Sequence, residues 1–407
     1  MRNVIYPTLG FAVVLGSASC DGTEPVETAS GGAPASGGSA QGGSGVTGGR
    51  TTGGTTSSGG TASATGGRAS GGTATGGKAT GGNATGGSSG GGGPCDIYQS
   101  ANTPCVGAYS TVRALYAGYS GPLYQVRLTS NNTVRDIPVL TTGGFADSSV
   151  QDSFCGTAAC TISKLYDQSP QHNDMPVSGK TFWLTNGGTE TNAKAVKINV
   201  SGHPVYGVKS FSGAGNSYRN HKPTGTAVGD QPEAMYEVVD SKFYNALCCN
   251  DFGNAETTGN PDGPATMEAI YFGNDTMFGS GGGSGPWLLA DLEAGTFPSN
   301  LKNDTSKPSL TYPKFATLML KGFSGNRMVL KHGDGQTGVL TTQHDGARPS
   351  GYSPMKKQGA IVLGAGGDGS FYSQGIFFEG AITFGCSDDK AVDDAIQANI
   401  VAAKYGQ

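Results

Sequence analysis

The chain has 407 residues, 71 of them glycine, with only 14% charged residues and a formal net charge of −4. Its basic residues are dispersed, which argues against a nucleic-acid partner, and beyond the first twenty residues no apolar run approaches the roughly 20 residues that cross a bilayer. The glycine excess and the charge deficit are both concentrated before residue 94.

In chain order, residues 1–20, MRNVIYPTLGFAVVLGSASC, carry one cation at Arg2, an apolar run to Leu15 and small residues up to Cys20, which reads as a secretory signal. The stretch SASC resembles the lipobox of bacterial lipoproteins, in which the cysteine becomes the lipidated first residue, although Pro7 interrupts the run and Ser17 stands where those signals prefer leucine. Both forms of signal send the chain out of the cytoplasm, where disulfides persist. Residues 21–93 dissolve into Gly, Ser, Thr and Ala, with five-residue units such as ATGGR, ASGGT and ATGGK. Such a tract buries nothing and predicts a flexible tether with an end-to-end distance of roughly 45 Å.

Residues 94–407 are long enough for one well-filled domain. A short helix is predicted in STVRALYAGY, capped by Ser110 or Thr111. From Ala193 to Gly385, short apolar stretches bounded by turn residues predict strands: AVKINVSG, TMEAIYFGN, PWLLADLEAG, FATLMLKGFSG, RMVLKHG, GAIVLGAGG and IFFEGAITFG. That pattern argues an antiparallel β-sandwich. A helix in SDDKAVDDAIQANIVAAKYG closes the chain, with Ser387 or Asp388 near its start, Val392, Ile396 and Ile400 on one face, and the helices packed outside the sandwich.

Cys20 apart, seven of the eight cysteines remain, so at least one is unpaired within the chain. Cys95 with Cys105 and Cys155 with Cys160 would close short loops. Cys248 and Cys249 are adjacent, about 3.8 Å apart at Cα in a trans peptide, against the roughly 4.4–6.8 Å of ordinary disulfides. By spacing, a bond from either to Cys386 competes evenly with a vicinal one. None of the five histidines falls in a zinc-binding spacing, and the G-x-S-x-G pattern at Gly86–Gly90 lies in the tether, where no strand or helix can form a nucleophile elbow.

Carboxylates carry the chemistry. In PWLLADLEAG, alternation puts Trp287, Leu289, Asp291 and Glu293 on one strand face and Leu288, Ala290 and Leu292 on the other. The second face is apolar and points to the core. The first pairs two acids with a tryptophan, as a sugar-binding cleft would, but alternation alone favours an exposed face with two solvated acids. Asp368 follows a strand ending in glycines, among them Gly367, that can bring backbone close to a ligand; an ordinary turn aspartate is the competing reading. Glu256, Glu268 and Glu379 are rival acids that the sequence does not rank.

The segments GPCDIYQSANTPCVGAYSTVRALY, LYDQS, YRN at Tyr218, CCNDFGNAET, MEAIYFGN, GPWLLADLE, GARPSGYSPM, GAIVLGAGGD and NIVAAKYG, in order across Pro94–Gln407, resemble the catalytic domain of the family 54 α-L-arabinofuranosidases. The resemblance implies a concanavalin A-like β-sandwich and a retaining mechanism, which needs two carboxyl groups about 5–5.5 Å apart. It implies Glu293 as nucleophile, Asp368 as acid/base, kept protonated by the negative Glu293, and Asp291 as a hydrogen-bonding partner of the sugar. It further implies Cys95–Cys105 and Cys155–Cys160 disulfides, a strained vicinal Cys248–Cys249 disulfide with a distorted peptide lying against the arabinofuranose, and a free, buried Cys386. Phe278 stands where family members have a tryptophan, and Ala294 and Gly295 where they have asparagines. The chain ends at Gln407 without the family's C-terminal arabinose-binding trefoil.

The expectation is therefore an exo-acting, extracellular or cell-surface arabinofuranosidase. It needs no cofactor or metal, acts as a monomer on plant cell-wall polysaccharide or arabino-oligosaccharides, and touches a membrane only through a lipid on Cys20. A β-D-xylosidase and a non-catalytic carbohydrate-binding protein are the alternatives.

Overall fold

The computed structural model describes residues 92–407. The expected signal, Cys20, the repeat tract and Gly86–Gly90 lie outside the described residues.

All seven stretches expected as strands contain one. A seven-stranded sheet runs in the order Cys105–Ser110, Gly375–Thr383, Glu233–Asp240, Phe315–Phe323, Arg327–Asp334 and Thr341–Gly346, with Val208–Ser210 also pairing onto Gly375–Thr383. A six-stranded sheet runs Tyr218–Asn220, Ala360–Leu363, Asp251–Ala255, Glu268–Gly273, Trp287–Asp291 and Thr296–Phe297. Every pairing in both sheets is antiparallel. Leu318, Leu320, Leu330 and Ile382 of the first sheet share one buried cluster with Phe252, Ile270, Leu288, Ala290 and Leu363 of the second. This shared core makes the two sheets a sandwich, each large side chain contributing roughly 1.5–3 kcal/mol by leaving water.

The expected alternation in Trp287–Asp291 is present, but neither face is wet. Leu288, Ala290 and Leu292 enter the main core, while Trp287 and Leu289 pack with Tyr271 and Cys249 in a second buried cluster on the other face. The register Tyr271↔Leu289 and Ala269↔Asp291 sets Asp291 at the margin of that second cluster.

One expected helix is absent. Ser110 instead ends a strand, and its hydroxyl accepts the backbone N–H groups of Val112 at 3.1 Å and Arg113 at 3.0 Å. Leu115 N–H goes to the Gln168 side chain at 2.6 Å. With those donors satisfied by side chains, the segment has no need of helical carbonyls. Arg113 turns inward to form a two-pronged ion pair with Glu379, at 2.6 and 2.7 Å.

The closing helix spans Lys390–Ala402, with Ile396 and Ile400 buried. Its cap is Asp389, one residue beyond the expected pair, whose carboxylate accepts the Ala391 N–H at 2.8 Å. A helix at Pro94–Ser100 starts with proline at its first turn and packs against the closing one. Another at Ser148–Cys155 is capped by Asp147. No helix among the described residues is long and apolar enough to cross a membrane.

Candidate active site

The cleft is assembled from two turns at strand ends. The first follows Trp287–Asp291, where Leu292 N–H bonds Gly295 C=O at 3.2 Å and the chain reverses. Glu293 and Ala294 sit at φ of 62° and 58°, in the left-handed region that residues with a Cβ seldom occupy. Tyr352 holds the turn by donating its hydroxyl to Glu293 C=O at 3.0 Å, and Asp291 Oδ1 accepts the Glu293 N–H at 3.1 Å. Such strain persists where surrounding contacts impose it, and it concentrates at functional sites. Here it swings Glu293 out of the strand and over the cleft.

The second turn is Gly366–Ser370, beyond the strand Ala360–Leu363, closed by Gly366 N–H to Ser370 C=O at 2.9 Å and Gly369 N–H to Gly366 C=O at 2.9 Å. Asp368 is a turn aspartate, its Oδ1 accepting the Ser370 N–H at 2.9 Å. Its Oδ2 is aimed elsewhere, accepting the Trp183 indole N–H at 2.8 Å. Glycine is required at 367, because a Cβ there would overlap the carboxylate of Glu256. It is required at 369 as well, where φ is 83° and Thr181 presses from the side.

These turns bound a cavity of about 280 Å³ whose lining includes Cys248, Cys249, Phe278, Asp291, Glu293, Ala294, Gly367 and Asp368. Every residue expected to bind sugar or do chemistry therefore faces one cavity. Cys248 and Cys249 are bonded to each other across a cis peptide, and the Cys249 sulfur lies 3.2 Å from Asp291 Oδ2. A disulfide sulfur carries no proton, so this is packing rather than a hydrogen bond; nor do two sulfurs joined to each other offer thiolates to a metal beside Asp291. The pairs Cys95–Cys105 and Cys155–Cys160 are also formed, within the main core. Cys386 is free, but half-buried rather than buried.

Acidic groups dominate the floor. Asp291 and Glu256 are buried, Asp251 is fully buried, and both Asp251 oxygens lack a donor. Burial is the largest influence on Glu293, followed by the charges of Asp291, Glu256 and Asp368, and together they push it up to about 9. Burial likewise lifts Asp291 to about 7 and raises Asp251 and Glu256. Burial and these neighbouring charges both favour the protonated form of Glu293. The guanidinium of Arg219 sits within this group, nearly fully buried and bonded to Glu256 C=O. Burial lowers it to about 10 while Glu256, Asp368 and Glu293 oppose the fall.

The rival acids separate cleanly. Glu268 is locked between Arg348 and Lys357, both at 2.8 Å and all fully buried; burial raises it, but the two cations together outweigh burial and take it down to about 2. Glu379 is held by Arg113 and Tyr405. Both are structural ion-pair members. Glu256 alone of the three acts on the cleft: it lies beneath Gly367 and raises Glu293, its Oε1 accepts the Thr266 hydroxyl at 2.6 Å, and its Oε2 has no hydrogen-bond partner.

Several cleft residues escaped sequence reasoning, among them the aromatics Trp183 and Tyr372. Trp183 is one of only two tryptophans in the chain and lies about half exposed. A tryptophan in a polar, glycine-flanked loop was the available signal.

The family model described as "Alpha-L-arabinofuranosidase B, catalytic" matches residues 94–406. The chain is 48% identical over 320 residues to the probable α-L-arabinofuranosidase B of Aspergillus terreus, covering 77% of this chain and 62% of that protein. It is 47% identical over 321 residues to the α-L-arabinofuranosidase B of Emericella nidulans, with the same two coverages. It thus spans less than two thirds of the length of these curated relatives. Among solved structures, an arabinofuranosidase complexed with arabinofuranosyl-α-1,2-xylobiose superimposes with a TM-score of 0.75 at 42% identity, over 77% of this chain and 66% of that one. A family 54 α-L-arabinofuranosidase soaked with a cyclic sulfate inhibitor gives 0.74, with the same identity and coverage.

Proposed function

Because the chain belongs to the α-L-arabinofuranosidase B catalytic family, we propose that it is a retaining, exo-acting α-L-arabinofuranosidase, releasing terminal arabinofuranosyl groups from arabinoxylan, arabinan or their oligosaccharides. The observation that carries this reading is the convergence of Glu293, Asp368 and Asp291 on one cavity of about 280 Å³, smaller than drug-sized pockets, which begin near 300 Å³, and suited to a single pentose.

In the first step a Glu293 carboxylate oxygen attacks the anomeric carbon. The bond from that carbon to the leaving oxygen breaks, and Asp368 gives its proton to that oxygen. The product is an arabinosyl ester on Glu293. In the second step Asp368 takes a proton from water, the water oxygen attacks the anomeric carbon from the opposite face, and Glu293 departs as carboxylate with configuration retained. Attack needs Glu293 without its proton and Asp368 with one, so the active form holds one proton between these two carboxyl groups. Asp291, rigid against the vicinal disulfide, accepts sugar hydroxyl protons. The Cys248–Cys249 pair and Phe278 supply apolar walls, and Gly367 lets backbone reach the ring.

Phe278 and Ala294 favour one second reading, a preference for β-D-xylosides, since Phe278 has no indole N–H and Ala294 no amide to bond an arabinofuranose hydroxyl. Residues 1–20 act in this proposal as an export signal with Cys20 as the lipid attachment point. Residues 21–93 are a tether that presents a monomeric catalytic domain to insoluble polymer outside the cell. Initial rates on 4-nitrophenyl α-L-arabinofuranoside and 4-nitrophenyl β-D-xyloside at equal enzyme concentration test the activity. The arabinofuranoside should be favoured by at least about tenfold in kcat/KM. A reversed ratio selects the xylosidase, and arabinan binding without turnover selects a carbohydrate-binding protein.

A further inference from the structure

The acid that protonates a leaving group marks the side of the cleft on which that group lies. On that side the surface is built rather than bare. Trp183 donates its indole N–H to Asp368 Oδ2 at 2.8 Å and its backbone N–H to Asp368 C=O at 3.2 Å. Phe182 follows, its ring 5.3 Å from the indole and nearly perpendicular to it. Phe182 is 52% exposed and Trp183 48%, although both backbones are tied down. The Phe182 N–H bonds Gly259 C=O at 2.8 Å, and Leu184 N–H bonds the Thr181 hydroxyl at 3.1 Å. Two adjacent aromatics held open to water at a fixed edge of the cleft have no role in the core.

The strip continues beyond Phe182. Gly259 N–H reaches Glu256 C=O at 3.4 Å, and the neighbouring Thr257 presents its N–H and hydroxyl to Gln358 Oε1, both at 3.0 Å. Thr257 and Gln358 with His221 and Lys222 line an open basin of about 550 Å³. His221 Nδ1 contacts Thr257 C=O at 3.1 Å. The order along the surface is therefore acid, aromatic step, polar basin.

We propose that Trp183, Phe182 and the basin at His221, Thr257 and Gln358 form a leaving-group site that seats two successive pyranosyl units of a xylan-type main chain, the first on the aromatic step and the second in the basin. A pyranose offers a flat face of C–H bonds that stacks on an aromatic ring, while its hydroxyls need the amide, hydroxyl and imidazole groups found in the basin. A puckered furanose main chain has no comparable flat face. The inference deepens the arabinofuranosidase reading and rests on Asp368 as its acid. It also gives Trp183 two roles, since the ring that receives the first unit holds the carboxyl that protonates it.

The test compares kcat/KM for a xylotetraose carrying one arabinofuranosyl branch with kcat/KM for methyl α-L-arabinofuranoside, whose leaving group reaches neither the aromatic step nor the basin. The ratio of the two should fall about five- to tenfold in Phe182→Ala, through KM, as loss of one aromatic contact implies, and should recover in Phe182→Tyr. Gln358→Ala should lower it about threefold. A ratio unmoved in both alanine variants, with wild-type enzyme active on both substrates, overturns the inference alone. Wild-type enzyme inactive on both arabinofuranosides overturns the arabinofuranosidase reading and the inference together. A ratio that falls only when branched arabinan replaces the xylan-type oligosaccharide overturns the assignment to a pyranosyl main chain.

Discussion

Glu256→Gln isolates the electrostatics of the carboxylate cluster. The exchange keeps the shape that fits beneath Gly367 and an oxygen to accept the Thr266 hydroxyl, but removes a negative charge that raises Glu293. Two like charges about 4 Å apart repel by about 4 kcal/mol at an effective dielectric near 20, which caps the effect at about three pH units. Glu293 stands at about 9 against 4.5 for a free glutamate, and burial leads that rise, with Asp291, Glu256 and Asp368 following in order. One of three charges, itself partly neutralised by burial, accounts for about one pH unit. The sign is fixed: the active form holds one proton on the Glu293–Asp368 pair, and without the neighbouring charge Glu293 gives up its proton at lower pH, so the alkaline limb of kcat/KM moves toward acid. A pH profile of 4-nitrophenyl α-L-arabinofuranoside hydrolysis reads it directly. An alkaline limb that stays put, or moves further toward alkali, refutes the claim that Glu256 governs the proton on Glu293.

The two buried-pair acids should behave differently from the cleft acids. Glu379→Ala leaves Arg113 buried and unpaired and should cost about 3–5 kcal/mol in chemical denaturation, with turnover per folded molecule preserved. Ala294→Asn puts a residue tolerant of the left-handed region at φ 58°. It should raise stability by about 0.5 kcal/mol and lower KM for the aryl arabinofuranoside by adding an amide at the cleft wall, both measurable on one preparation.

Much of this architecture was legible because its signals are local. The alternation in PWLLADLEAG separated core-facing Leu288, Ala290 and Leu292 from the acid-bearing face, and the glycine-rich end of GAIVLGAGG marked the turn that carries Asp368; Glu293, expected on the strand face, lies instead in the turn beyond Asp291. What escaped depends on partners distant in sequence. Glu233–Asp240, a central strand buried almost throughout, carries Glu233 and Glu237 inward, which disguises it as polar; Glu233 is matched by Lys357, 3.3 Å away. The helix expected at STVRALYAGY failed because Arg113 finds Glu379 and Leu115 finds Gln168, contacts invisible to periodicity. Glu256, Glu268 and Glu379 looked equivalent in sequence, and only the cations around the latter two separate them. Trp183 became significant when folding brought it to Asp368, and the lift on Glu293 comes from burial and from the approach of Asp291 and Glu256, which no local pattern shows.

The central claim is that Glu293 carries the sugar between the two chemical steps. Mass spectrometry of enzyme quenched after reaction with a slow arabinofuranosyl donor, followed by peptide mapping, tests it. The account predicts one pentosyl adduct on the peptide containing Glu293, abolished in Glu293→Gln. An adduct mapping to Glu256, Asp291 or Asp368, or full aryl arabinofuranosidase activity in Glu293→Gln, would contradict it.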